Sequence, residues 1–252
     1  MLERLKNMRF VIIESPYDSW NHPLMEQVFA RMIGMKLRGY GKEYPYGVMA
    51  LDTTDFISEH LLICEETSEG LIPIVGNKSV PLSKCDFHHV PFPGLSCLEE
   101  AKAHEHAKVM NQIMDRCRKD GVDLRYAGSW TMEAKERGNR EWSLALRDLF
   151  TAIYTFYYQS LPNCEVITGG TCRFKVDSYV KWLGHEALTL NGKELDPINV
   201  FHLAGEKVLW THLKKFTPEA EAVAGLYQHL WENHVRIKAV DLANVVPIKK
   251  AA

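Results

Sequence analysis

Between Leu124 and Leu195 the chain reads strand, turn, helix, strand, helix, strand: LRYAGSWTMEAKERGN leads into a long amphipathic helix, a second strand, a short helix and LGHEALTLNGKEL. Such alternation restricts the fold to the α/β class, because each strand must bury an apolar face beneath a helix. The helix over 139–160 is the clearest in the chain. Trp142, Leu146, Leu149, Ile153 and Phe156 follow a helical period until Pro162 stops it. It is expected to pack across the central sheet.

The remaining elements follow from shorter signals. Phe10–Ile13 is a strand cut off by Glu14 and Pro16. Pro23 opens a helix through LMEQVFARMIGMKL, with Met25, Val28, Phe29, Met32 and Met35 on one face, read as core packing. Gly39, Gly41, Pro45 and Gly47 then suggest a loop. HLLICEE and LIPIVGNKSVPL are two strands joined through Thr67–Gly70. Ser96 with Glu99 has the capping-box spacing, so a helix is expected from Cys97 to Arg118. Thr217, Pro218 and Glu219 announce a C-terminal helix carrying Val223, Leu226, Leu230 and Trp231.

With 252 residues and 46% hydrophobic content the chain can build one domain over 1–252, with 206–252 as a C-terminal extension. A formal charge of -2 supplies no field to hold a nucleic-acid backbone or an anionic membrane, which leaves small molecules or proteins as partners. No segment has the length of an integral membrane span. The six cysteines form no CxxC pair and read as reduced thiols of a cytoplasmic protein. No metal is expected: there is no HExxH, and on a regular helix His104 and His106 point about 200° apart. Cys172 has no neighbouring pattern that supplies a base, so it reads as a buried or strand-end thiol.

Strand alternation puts Trp130, Met132 and Ala134 on one face and Thr131, Glu133 and Lys135 on the other. Acyl transfer to an amine needs a group that takes a proton from the ammonium, and Glu133 is the first candidate; the plainer reading pairs it with Lys135 at the surface. Arg137, Gly138, Asn139 and Arg140 precede the long helix, where guanidinium groups and free amides suit a phosphate. Alternatively, Gly138 only turns the chain and Asn139 only caps the helix.

These features together resemble the GNAT acyltransferase superfamily, whose members hold a thioester between two splayed parallel strands, here 124–135 and 164–170. LGHEALTLNGKELDPINVFHLAG and the acidic pair Asp52 and Asp55 are similar to acyl-homoserine-lactone synthases and N-acyl amino acid synthase-like members. Three departures stand out. Lys78 follows Gly76 where those synthases carry arginine, Glu136 holds the place of a second arginine with Arg137 one residue beyond, and bulky residues follow Gly138 where GNAT members carry further glycine.

The resemblance implies a GNAT-like mixed central sheet flanked by helices, with an added C-terminal helix, and an N-acyltransferase activity. Acyl-CoA or the phosphopantetheine of an acyl carrier protein would be co-substrate, with no permanently bound cofactor and a small amine as acceptor. Arg137, Gly138, Asn139 and Arg140 would hold the donor's phosphates, and Asp52, Asp55 and Lys78 the acceptor. Tyr179 would protonate the departing thiolate, although its plainer role is packing. The competing reading is a noncatalytic acyl-ligand sensor or interaction protein on the same fold.

Overall fold

The computed structural model describes residues 2–44, 48 and 51–240. Its first half runs α1 (Leu2–Lys6), β1 (Met8–Ile13), α2 (Pro16–Ser19), α3 (Met25–Glu43), β2 (Glu59–Thr67), β3 (Gly70–Pro81), α4 (Leu82–His88), α5 (Pro93–Glu100) and α6 (His104–Asp120). The second half runs β4 (Asp123–Met132), α7 (Arg140–Gln159), β5 (Cys164–Thr171), α8 (Val176–Leu183), β6 (Glu186–Ala187), β7 (Thr189–Leu190), β8 (Lys193–Glu194) and β9 (Ile198–Val200). It closes with β10 (Glu206–Leu213), α9 (Pro218–Gly225), α10 (Gln228–Glu232) and β11 (Val235–Ile237).

Among the described residues nine strands form one mixed sheet in the order β11-β1-β2-β3-β4-β5-β10-β6, with β9 paired to β10. Among the described residues only β1 with β11 and β4 with β5 run parallel. One face carries α7, whose buried Trp142, Leu146, Leu149 and Ile153 pack on Phe10, Ile12, Leu61 and Ile63. The other face is shared. The stripe Met25, Val28, Phe29, Met32 and Met35 seats α3 on Val11, Ile13 and Leu62, while Val109, Met110 and Met114 of α6 cover Leu124, Ile167 and Trp210. The fold is therefore α/β, a mixed central sheet with helices on both faces.

Local chemistry explains several boundaries. Asn139 caps α7 by accepting from the Trp142 N–H at 3.0 Å, and Thr217 caps α9 by accepting from Ala220 N–H at 3.1 Å. Asn191 (φ 53°) and Gly192 (φ 80°) link β7 to β8 in the two-residue turn that the asparagine-glycine pair favours.

Three expectations need correction. Gly39 and Gly41 lie inside α3, not in a loop; Pro45 and Gly47 are outside the described residues. Ser96 does not cap a helix. Pro93 has already begun α5, and the Ser96 hydroxyl donates back to the Phe92 carbonyl at 3.3 Å. The helix expected over 97–118 is thus two, broken at Ala101–Ala103, where Lys102 adopts φ 54°. Finally, the segment from 206 onward is built into the sheet: β10 pairs β5 on one side and β6 on the other, and β11 pairs β1. Beyond Val240 that segment lies outside the described residues.

Candidate active site

β4 and β5 are paired from Asp123 with Cys164 to Ala127 with Thr168, and there the pairing stops. β4 continues to Met132 bonded only to β3, and β5 continues to Thr171 bonded only to β10. A wedge opens between them, with the Thr168 hydroxyl donating to the Ala127 carbonyl at 2.7 Å across its apex. Past the apex, the edge of β4 that faces β5 has lost its ladder partner.

The β4 wall is irregular where the β3 pairing shifts register between Gly76 and Lys78, and Ser129 adopts φ 54°. Asn77 donates to the Gly128 carbonyl at 2.8 Å and secures the bulge. An extra residue in one strand inverts its alternation. Arg125 faces α7 before the bulge, bonding the Tyr157 hydroxyl at 2.5 Å; after it, Trp130 takes that face, stacked on Phe150 at 4.6 Å. Thr131 and Glu133 consequently turn toward α3, as the alternation over 130–133 predicts.

On the α3 face, beside Ser129, lies a charged cluster. The Lys78 ammonium donates to Asp52 at 2.7 Å, the Thr54 hydroxyl at 2.8 Å and Asp55 at 3.1 Å. Lys36 pairs with the second Asp55 oxygen, and His60 Nε2 bonds the Asp55 carbonyl at 2.7 Å. Asp52 and Asp55 form a reciprocal capping box on a short turn of helix, which explains their three-residue spacing. Lys36, Asp55, His60 and Lys78 are buried, whereas the Asp52 side chain is 52% exposed. Asp52, Asp55 and Lys78, singled out from the sequence, are thus brought together.

Burial works to raise the Asp55 pKa, but Lys78 and Lys36 outweigh it and hold the carboxyl well below the usual range. Burial pushes the Lys36 ammonium down against the pull of Asp55, and pushes His60 down to about 4, so its imidazole is uncharged at neutral pH. Lys36 and His60 were missed in the sequence. The available signal was a lysine four residues after Met32 on the apolar stripe of α3.

The donor-side residues are placed differently. Both Glu133 oxygens are engaged: Arg38 Nε donates at 3.1 and 3.0 Å, Arg38 Nη2 at 2.6 Å and Ala134 N–H at 3.0 Å. The hydrogen bonds from Arg38 hold its pKa below the ordinary glutamate value. Three N–H groups, with the Arg38 Nε–H shared between both oxygens, engage the carboxylate and tie α3 to the end of β4. Its partner is Arg38, not Lys135.

Arg137 is likewise turned inward, pairing with Glu43 and donating to the Met132 carbonyl at 2.9 Å and the Gly39 carbonyl at 3.3 Å. Asn139 is the helix cap, and Gly138 meets open space with no left-handed backbone. Of the two arginines expected to meet a phosphate, Arg140 is the one exposed at the first turn of α7. Arg140→Ala is therefore expected to weaken thioester binding roughly tenfold, the worth of about one charged hydrogen bond, with an unchanged melting temperature. Arg137→Ala should lower the melting temperature first; equal binding losses without destabilisation in both variants would reinstate Arg137 as a ligand.

Tyr179 of α8 packs its ring 5.1 Å from Trp130 and bonds Thr151 Oγ1 at 2.7 Å. Burial raises its pKa, so the phenol carries its proton at neutral pH. Burial raises the Cys172 pKa too, opposite to the activation a nucleophilic thiol requires. His106 is spent on the Asp196 carbonyl at 3.0 Å, and among the described residues no group of three His, Cys, Asp or Glu is placed to hold a metal ion. A roomier cleft of about 510 Å³, lined by Arg116, Lys181, His212 and Lys214, lies by the other end of β5 and contains none of the residues singled out from the sequence.

No family model and no curated protein matches the chain. Among solved structures it is similar to the CoA-dependent acyl-homoserine lactone synthase BjaI with SAM and isopentyl-CoA, at 12% identity over 91% of this chain and 92% of that one, TM-score 0.51. BjaI with MTA aligns over the same shares at 10% identity and TM-score 0.52, and TofI in an apo form at 9% identity over 88% and 99%, TM-score 0.50. At these identities the likeness establishes the fold, the GNAT-like architecture that the sequence resemblance implies.

Proposed function

We propose that this chain is an N-acyltransferase that moves an acyl group from a thioester to the amine of a small amino-acid-like acceptor. The observation that carries this reading is the wedge between β4 and β5, joined at the Ser129 bulge to the buried Lys36–Asp55–Lys78 cluster. An extended pantetheine arm, of CoA or of an acyl carrier protein, can add to the freed edge of β4 as a strand would. Amides of that edge then face the thioester carbonyl as negative charge develops on its oxygen. The BjaI structure, with its SAM and isopentyl-CoA, supplies the precedent for both substrates and for an autoinducer-like N-acyl product.

In the reaction the ammonium first loses its proton to water, because the Glu133 carboxylate is ion-paired with Arg38. The neutral nitrogen attacks the carbonyl carbon, the carbon–sulfur bond breaks and the thiolate leaves with a proton. Tyr179 is assigned as that proton's donor. No helix among the described residues is long and apolar enough to cross a membrane.

The test is thiol release from acetyl-, octanoyl- and palmitoyl-CoA and from an acylated carrier protein, with and without amino acids. Acceptor-dependent release that falls at least tenfold in Tyr179→Phe, with the melting temperature held, would support the assignment. Thermal stabilisation by a thioester without any release would favour the noncatalytic reading, to which the engaged Glu133 and Arg137 lend weight.

A further inference from the structure

The cleft of about 510 Å³ between α6 and β10 is large enough to hold a small molecule and lies apart from the wedge. Among the described residues its lining includes none from β4. Val109 and Ile113 of α6, with Leu188, give it an apolar side. On the sheet side His212 stands directly opposite Glu186 across β10 and β6, so their side chains share a face, and Lys214 follows two residues on along that face. All three line the cleft.

The protonation of His212 follows from its partner. His212 Nε2 lies 2.6 Å from Glu165 Oε2, and Arg116 holds both oxygens of that carboxylate. Burial works to raise the Glu165 pKa, but Arg116 and His212 outweigh it and keep the group ionised. An ionised carboxylate only accepts, so Nε2 carries the hydrogen. Burial pushes the His212 pKa down against the pull of Glu165, and at neutral pH the ring is uncharged with its lone pair on Nδ1. Among the described residues Nδ1 has no hydrogen-bond partner, and neither Glu186 nor Lys214 has an ion pair. Lys181 and Glu194, also on the lining, satisfy each other at 3.5 Å. What remains is two adjacent acceptors, the Glu186 carboxylate and His212 Nδ1, and one cation, the Lys214 ammonium. A ligand with only a positive charge is repelled by Lys214, and one with only a negative charge meets Glu186 and the imidazole lone pair; a molecule carrying both meets each with its opposite. We propose that this cleft binds a small zwitterion, an aliphatic amino acid whose ammonium donates to Glu186 and His212 Nδ1 and whose carboxylate meets Lys214. Its side chain lies on Val109, Ile113 and Leu188. It is held there as a ligand and not as an acyl acceptor, because a thioester seated between β4 and β5 is out of its reach. The proposal does not rest on the acyltransferase reading.

Leucine, isopentylamine and 4-methylpentanoate put both charges, only the positive and only the negative on one carbon skeleton. In calorimetric titrations leucine should bind about tenfold more tightly than either of the others, and Glu186→Gln and Lys214→Met should each weaken it about fivefold with the melting temperature unchanged. Nitrogen NMR of the imidazoles, with the His212 signals assigned by their loss in His212→Asn, should show Nδ1 shifting as leucine is added. Leucine that binds no better than the two singly charged compounds overturns the zwitterion. Absence of leucine binding, binding that both substitutions leave unchanged, or His212 signals that leucine does not move overturns the site. A leucine-dependent shift at His212 without thiol release from any thioester sustains this site and counts against the acyltransferase reading alone.

Discussion

Asp55→Ala should cost about 3–5 kcal/mol of folding stability, the largest loss expected from any single side chain of the site. The variant leaves Lys36 and Lys78 buried side by side without the carboxylate that lies between them, and removes half of the capping box with Asp52. Since a domain of this kind is stable by only about 5–15 kcal/mol, the shift should be plain in a urea melt. Lys36→Met, which leaves Asp55 with Lys78, should cost clearly less.

The effect should also depend on pH in a set direction. The folded state holds the Asp55 pKa below its unfolded value, so the stabilisation is complete above about pH 4, the unfolded carboxylate range, and declines as pH falls through the folded value. The gap between the parent and Asp55→Ala should accordingly be constant from pH 5 to 8 and close in acid. A gap that widened in acid would mean that Asp55 is not held as the charged partner of the two lysines.

Two glycines of α3, two residues apart, are expected to respond with opposite signs. A Cβ on Gly39 would sit 2.3 Å from Thr131 Oγ1 and 3.1 Å from the Met132 carbonyl, because the helix lies directly against the end of β4. Gly39→Val must push α3 off that strand, for a loss of roughly 1–3 kcal/mol or more, and it displaces the wall of the wedge and with it any thioester binding. A Cβ on Gly41 meets nothing within 4 Å. Gly41→Ala should therefore stabilise by about 0.5–1 kcal/mol through helix propensity and leave binding untouched. Thermal melts of the pair, with thioester titrations, check both halves.

That contrast also shows what could be read in advance. Both glycines look alike in the sequence, where they suggest a loop, because the difference between them lies in a strand that begins more than eighty residues later. The same limit applies to Glu133 and Arg137. Their partners Arg38 and Glu43 lie 95 and 94 residues away, so residues that look free beside a helix start are spent on α3. The split of the 97–118 helix was hidden for a related reason: Ala101, Lys102 and Ala103 are ordinary helix formers, and the break shows no Pro or Gly. By contrast α7, the β2–β3 hairpin and the Asn191–Gly192 turn were legible because period, cap and turn residues act within a few positions of one another. Asp52, Asp55 and Lys78 were recognised from family resemblance. The buried Lys36 and His60 packed against them were not, since burial is decided by packing rather than by local sequence.

The parallel pairing of β1 with β11 has a consequence for how the chain is made. During synthesis the strand Met8–Ile13 gains β2 first, but its other edge stays bare until Val235 has been added. Until then that edge presents Val11 through Ile13 to any neighbouring nascent chain, the kind of surface that chaperones cover and aggregates extend. Closing the sheet is thus a long-range event, and a chain cut short of β11 would keep the Asp52–Lys78 cluster and Tyr179 while leaving the β1 edge uncovered.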